Sequence, residues 1–398
     1  MTISPFKILC GVGLLALFSS TISKNPSLPL LVASLGGNNA AIGIVAGISA
    51  FTGIVVSLPA GFLSDRIGRH RMLLLAGAVF ATAPFAYLLA ADIWQLGLIR
   101  FYHGLATAIF GPVAMALVAD LHQQNRGAKL GWFSTATLLG RFLAPAAGGV
   151  ILGLGAAGGA FNFTSLYLVC GLAGVLTMAG IALIPGKRQA SLERNAGPPA
   201  GGWRKELRQL LCNRLVMATC GVEAAILFSY GIFETFLPIR GIDHGLSPWQ
   251  VGLCISSQVL TIAMSKPVLG SFSDRHGRPP QIVAGALFAA ICMILLAFAT
   301  TFWQLMMVSV LLGLAISVVT SASAAYIADL SEKGTHGSAM GALGSVMDIG
   351  HTTGPIVAGA LAVSHGLTVS FISGGVMLAI SALYFIGGLG SRAYPKRH

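Results

Sequence analysis

The chain has 398 residues, of which 55% are hydrophobic and only 9% charged, and its mean hydropathy is +0.82. A formal net charge of +12 would suit a nucleic-acid binder, but apolar stretches that repeatedly exceed the roughly 20 residues needed to cross a bilayer exclude a soluble fold. Continuous runs such as "ICMILLAFA" also exclude a transmembrane β-barrel, whose strands alternate apolar and polar residues. What remains is an all-α polytopic membrane protein.

Taken in chain order, the apolar runs between turn and charge clusters predict spans over 8–32, 41–63, 72–91, 95–119, 129–153 and 164–185. A second series follows over 214–239, 249–271, 281–300, 302–328, 338–362 and 367–390, making twelve helices. The apolar start reads as a retained first helix, because no small-residue cleavage pattern follows it. "GGNN" at 36–39 and "ADIW" at 91–94 read as tight turns. The Gly-, Pro- and Arg-rich segment 186–213 then reads as a linker dividing an N-terminal six-helix bundle, 1–185, from a C-terminal one, 214–398.

All but five of the 24 Lys and Arg residues lie at the termini, in the linker or in the even-numbered loops. The positive-inside bias therefore places those loops and both termini in the cytoplasm of a plasma membrane, with a bacterial inner membrane suggested by the compact loops. The same bias accounts for the positive charge without a nucleic-acid partner. Six scattered cysteines with no CxxC pair and no metal-ligand spacing read as packing residues, so no metal and no cofactor is expected.

The two series are copies. "GFLSDRIGR" at 61–69 returns as "GSFSDRHGR" at 270–278, "WQL" at 94–96 returns at 303–305, and "ADL" at 119–121 returns at 328–330, all at one offset. A steady register of this kind signals duplication. Parallel repeats with a substrate site between them are the plan of a rocking transporter.

On these residues the sequence resembles the major facilitator superfamily over essentially its whole length. The loop signature is matched by Gly61, Asp65, Arg66, Gly68 and Arg69, and again by Gly270, Asp274, Arg275, Gly277 and Arg278. "RFYHGLA" resembles the family's second motif through Arg100 and Gly104, with His103 where the family usually has Gln. The fifth span carries Gly131, Gly140, Pro145, Gly148 and Gly149 at the spacing of the family's antiporter motif, with Ala144 in place of a glycine. The eleventh span repeats it with Gly350, Gly354 and Pro355. The resemblance implies the twelve-helix fold and alternating access, and its antiporter motif favours export. Small residues at these positions serve close helix packing as readily as an antiport role.

The loop motif has a physical reading as well. Its glycine permits a tight connection and its arginines suit bidentate carboxylate contacts. Asp120 and Asp329 end the fourth and tenth spans, where the rim brings them near Arg69 and Arg278. Asp65 is expected to meet the N-terminal end of the eleventh span, and Asp274 that of the fifth, as latches that hold the inner side shut.

Ionisable residues inside the spans point to the pathway, since each costs about 2.5–3.5 kcal/mol at mid-bilayer unless it faces a cavity or a partner. Glu223 follows Arg214 by nine residues, roughly 14 Å along a helix, and Asp348 lies similarly deep. These two are the leading candidates for carrying a proton; the alternative for each is a permanent salt bridge, Glu223 with Arg100 or Asp348 with Arg141. His103 and His351 are further coupling candidates. Lys24, Arg100, Arg141, Glu234 and Lys266 are candidate cavity charges, with Lys24 and Glu234 either pairing as an outer gate or simply reaching water.

The expected function is secondary active transport, proton-coupled export of a drug, siderophore-like compound or other carboxylate-bearing metabolite by a protein acting as a monomer. A symporter importing a small organic anion is the alternative, suited by the basic residues in the pathway. No nucleophile–base set points to an enzyme, and no phosphate-binding loop points to ATP drive.

Overall fold

The computed structural model describes residues 4–122, 124–156, 161–184, 213–330 and 336–390; the expected linker 186–213 lies almost wholly outside them. Twelve α-helices run through the described residues: α1 (Pro5–Ile22), α2 (Ser27–Ser34), α3 (Asn39–Ile67), α4 (Arg69–Ala86), α5 (Ile93–Leu121), α6 (Arg126–Ala156), α7 (Phe163–Ala182), α8 (Arg214–Asp243), α9 (Pro248–His276), α10 (Arg278–Phe298), α11 (Phe302–Leu330) and α12 (His336–Gly390). No strand occurs among the described residues.

Helices and membrane passes are not in one-to-one correspondence. The first pass is broken into α1 and α2, which together form one apolar stretch, Pro5–Ser34. At the other end, α12 contains an apolar stretch of 47 residues, Leu343–Leu389, about twice what a bilayer core needs. It turns back at Gly366, whose φ of 80° interrupts the helix. With one broken pass and one double-length helix, the described residues hold apolar length for twelve crossings.

The repeated sequence motifs do repeated structural work. At the start of α5, Gln95 Oε1 accepts the Ala91 N–H at 2.9 Å, and at the start of α11, Gln304 Oε1 accepts the Thr300 N–H at 3.0 Å. The neighbouring Trp94 and Trp303 are exposed, at helix ends where an amphipathic ring suits the membrane interface. Gly68 and Gly277 adopt φ of 101° and 92° with ψ of 136° and 150°, a region essentially restricted to glycine. Each ends one helix and begins the next, so the chain reverses in a single residue.

The same pairings recur in both series. α1 packs on α6 and α7, α3 on α5, and α4 on α5 and α7; correspondingly α8 packs on α12, α9 on α11, and α10 on α11 and α12. Between the series the main contacts are α3 with α12 and α6 with α9. They concentrate on the face opposite the Gly68 and Gly277 turns. There Gly43 lies against the Pro355 backbone, Gly359 against Asn39, Gly149 against Pro248 and Gly252 against Pro145. A Cβ at any of these positions would collide with backbone, so the missing side chains let helices approach closely.

Pro145 contributes to this contact in another way. A proline inside a helix has no N–H to donate and loosens the turn around it. Ser256 of α9 sits at that turn, donating to the Phe142 carbonyl at 2.7 Å and accepting the Ala146 N–H at 3.1 Å. One hydroxyl thus ties the two series together.

Candidate transport cavity

The break between α1 and α2 positions the first functional group. Pro26 disfavours a helical conformation at Asn25 and removes a backbone donor, so the chain leaves the helix at Ser23 and resumes it at Ser27. Lys24 and Asn25 occupy the gap and both reach α8. The Lys24 ammonium pairs with Glu234 Oε1, and Asn25 Nδ2 donates to Glu234 Oε2 at 3.1 Å. His351 of α12 donates from Nε2 to the same Oε1 at 2.5 Å, and the Tyr230 ring lies beside His351. Glu234 is only 3% exposed, so one buried carboxylate of α8 gathers an ammonium and an amide from the α1–α2 break and an imidazole from α12.

This cluster forms part of the wall of a cavity of about 350 Å³ between the two series. Lys24, Arg100 and Arg141 line it from the first series; Glu234, His351 and Asp348 line it from the second. Arg100 is 2% exposed and donates from Nη1 to the Tyr87 hydroxyl at 3.2 Å, while its Nε has no partner. Asp348 is half-buried, with Oδ2 directed at the open Cα face of Gly53 on α3. Among the described residues, Arg100, Arg141 and Asp348 belong to no ion pair. Neither the Glu223–Arg100 nor the Asp348–Arg141 salt bridge is formed.

Toward the Gly68 and Gly277 turns the walls part. Thr137 and Arg141 of α6 and Ile262 and Lys266 of α9 line a lower gap, and both basic side chains are exposed there. The close helix contacts thus lie on one side of the cavity, and on the other Arg141 lines both the cavity and the lower gap.

A chain of this architecture has relatives. The model of the Major Facilitator Superfamily matches residues 9–252 and again 219–397. The chain belongs to the Major Facilitator Superfamily. It is 28% identical over 369 residues to the multidrug resistance protein MdtG of Salmonella paratyphi C, covering 90% of this chain and 89% of that one. To MdtG of Escherichia fergusonii it is 27% identical over 380 residues, covering 93% and 91%. Among solved structures, a bacterial homolog of the human lysosomal transporter Spinster, inward-facing and unoccupied, superposes with a TM-score of 0.83 at 16% identity, covering 98% of each chain. The nucleoside transporter NupG gives 0.81 at 13% identity, covering 97% of this chain and 99% of that one. As a superfamily member the protein is a multi-pass membrane transporter of small molecules and not an enzyme.

The superfamily's loop signature is organised within each series. Arg69 Nε lies 2.5 Å from Asp120 and its Nη2 3.4 Å from Asp65. Arg278 lies 2.5 Å from Asp274 through Nη1 and 3.2 Å from Asp329 through Nε, with Nη1 also donating to Ser273. Asp65 and Asp274 are 61% and 63% exposed. Among the described residues Asp65 pairs with Arg69 and Asp274 with Arg278, each within its own series; the approach to the eleventh span at 331–335, toward which Asp65 is expected to reach, lies outside the described residues. Arg66 and Arg275 are exposed, and Gly61 and Gly270 have open space beside them.

Several expected residues lie elsewhere. His103 is buried inside the first series, near the Tyr87 hydroxyl and Ser23 and edge-on to Phe80, and does not reach the cavity. Glu223 is not part of the cavity lining; it is 1% exposed, with Oε2 unpartnered among the described residues. In the fifth-span motif, Gly140 meets the Leu14 backbone and Gly148 meets Ile22 and Asn25, while Gly131 has open space beside it among the described residues. In the eleventh span, Gly350 and Gly354 meet the α8 backbone at Ala224 and Phe228. Asn25, Tyr87, Tyr230 and Ser256 were missed from the sequence. Pro26 offered a signal for Asn25; nothing local marked the other three.

Proposed function

We propose that the protein is a proton-coupled exporter of small organic molecules in a bacterial inner membrane, built from two six-helix bundles, 1–185 and 214–398, and acting as a monomer. The faces carrying Gly68, Gly277 and both termini are cytoplasmic in this reading, so the cavity stands open inward. The similarity to MdtG, named for multidrug resistance, supports export.

The observation that carries the reading is the sharing of Glu234 between Lys24 of one bundle and His351 of the other. Opening the outer face must draw α2, α3 and α6 away from α8, α9 and α12, which separates Lys24 from Glu234. A buried carboxylate deprived of its lysine favours a proton. Proton uptake then belongs to the outward-open state and release to the inward-open state, where Lys24 returns. That order drives export, since an outbound substrate replaces the proton in the reverse step. Asp348, in the same wall, is the second candidate carrier, and Glu223, buried outside the cavity lining, the third. Asp65 and Asp274 would form their latches only when the inner face closes.

The test is reconstitution into proteoliposomes with an imposed proton gradient and a panel of organic cations and anions, comparing wild type with Glu234→Gln, Asp348→Asn and Glu223→Gln. Gradient-driven flux that collapses in Glu234→Gln is expected. Wild-type flux indifferent to the gradient would overturn the proposal. Net uptake of anions along an inward gradient would instead select import by symport, a reading favoured by the unpaired Arg100 and Arg141.

A further inference from the structure

The cavity is charged asymmetrically. Every cationic side chain of the wall contributed by residues before the linker, Lys24, Arg100 and Arg141, stands without an acid on that same wall. The opposite wall holds Glu234 and Asp348 with no lysine or arginine, and Lys266 lies outside it, in the lower gap. Lys24 and Glu234 satisfy each other across the seam. What remains is a pair of guanidinium groups on one side and, on the other, the Asp348 carboxylate next to the His351 imidazole, which is itself hydrogen-bonded to Glu234.

Neither set is neutralised internally. Arg100 is almost wholly buried, bonded through Nη1 to the neutral Tyr87 hydroxyl, and its Nε has no partner. Charges removed from water are costly unless a counter-charge meets them. A purely cationic guest would answer Asp348 and leave both arginines facing a like charge. A purely anionic guest would answer the arginines and face Asp348. Only a molecule carrying both signs satisfies both walls, and unpaired charges reject the alternatives.

We propose that the substrates are amphoteric small molecules, with a carboxylate or similar oxyanion held by Arg100 and Arg141 and a protonated amine held by Asp348. The proposal rests on the transporter reading above and adds the substrate class to it. Guanidinium groups suit the anionic end because their planar donors engage two oxygens at once. The seam between bundles lies between the two ends, so the guest bridges both bundles.

A matched set of probes tests this: 4-(aminomethyl)benzoate, its methyl ester, which keeps only the cation, and its N-acetyl derivative, which keeps only the anion. Binding to the purified full-length protein in detergent is measured by calorimetry, separately from flux. The zwitterion is expected to bind about tenfold or more tightly than either derivative. Asp348→Asn should bring it level with the N-acetyl form, and Arg100→Gln with the methyl ester. Arg141→Gln, whose side chain is exposed to the cavity, provides the same comparison if Arg100→Gln fails to fold. Equal binding of all three probes, no binding of any, or equal weakening of all three in every variant would overturn the assignment. Retained zwitterion preference with flux indifferent to a proton gradient would sink the coupling proposal and leave this one standing.

Discussion

Lys24, in the break between α1 and α2, pairs with Glu234 of α8, so the first pass of one series is tied electrostatically to the first pass of the other. Removing one partner of a buried pair leaves the other charge uncompensated, which costs about 3–5 kcal/mol. Lys24→Ala and Glu234→Gln are each expected to lower thermal stability and abolish gradient-driven flux. The exchange Lys24→Glu with Glu234→Lys should recover much of the stability. Melting curves of the two single variants and the double variant check this through the coupling energy.

Glu223 sits on the same helix and is expected to behave in the opposite way. Its carboxylate is as deeply buried, but its Oε2 has no hydrogen-bond partner among the described residues. A neutral amide there removes a poorly compensated group, so Glu223→Gln should leave stability unchanged or raise it by about 1 kcal/mol. A loss as large as that in Glu234→Gln would show a hidden partner for Glu223.

The close approach of Gly43 to Pro355 and of Gly252 to Pro145 makes this closely packed face sensitive to added volume. Gly43→Val and Gly252→Val would push side chains into backbone, costing about 1–3 kcal/mol in the state that brings them together. Because the cost applies to one state only, the conformational equilibrium should move toward opening of this face by about tenfold or more. Labelling of a cysteine placed at Ser49 by an impermeant thiol reagent reads the shift as faster modification from outside.

Arg240 illustrates a buried charge serving the frame. Its Nε and Nη2 donate to the carbonyls of Ala299 and Ala297 at 3.0 and 2.7 Å, at the end of α10, where helix carbonyls lack internal partners and attract cations. Arg240→Ala should cost about 2–4 kcal/mol of stability, and Arg240→Lys should restore little because an ammonium does not span both carbonyls in one plane. Probe binding measured well below the melting temperature should be unaffected.

In the loop signature the glycine and the aspartate are expected to separate. Gly277→Ala strains a φ of 92° and should cost about 1–3 kcal/mol, whereas Asp274→Asn removes an exposed contact worth about 0–1 kcal/mol. If Asp274 forms a latch on closure of the inner face, Asp274→Asn should reduce flux while leaving the melting temperature nearly unchanged.

Much of the fold was legible because membrane insertion constrains composition so strongly. Twenty apolar residues between polar turns announce a pass, and the repeated motifs announced both series. The exceptions have local causes: the break at Lys24–Asn25 follows Pro26, and the last two passes merge because Gly366 turns the chain without a polar loop. The candidate site was less legible. Sequence depth placed Glu223 and Asp348 alike, yet Asp348 lines the cavity, whereas Glu223, on the same face of α8 as Leu227, Tyr230 and Glu234, is buried beyond its lining. His103, in a motif of the fourth span, turned inward to Tyr87, while Glu234 turned out to be the point where three elements meet.

The amino-acid sequence by itself determined the twelve passes, the duplication, the glycine-dependent turns and the set of ionisable residues that must avoid lipid. These follow from the cost of exposing polar groups to hydrocarbon, which acts on each segment separately. Only the tertiary structure decided which of those residues face one another. Pairing of Lys24 with Glu234 and His351, the bridge from Ser256 to the Pro145 kink, and the segregation of arginines from Asp348 depend on how helices far apart in the chain rotate and pack. A one-dimensional pattern records which charges are buried; it carries no information about which buried charges meet.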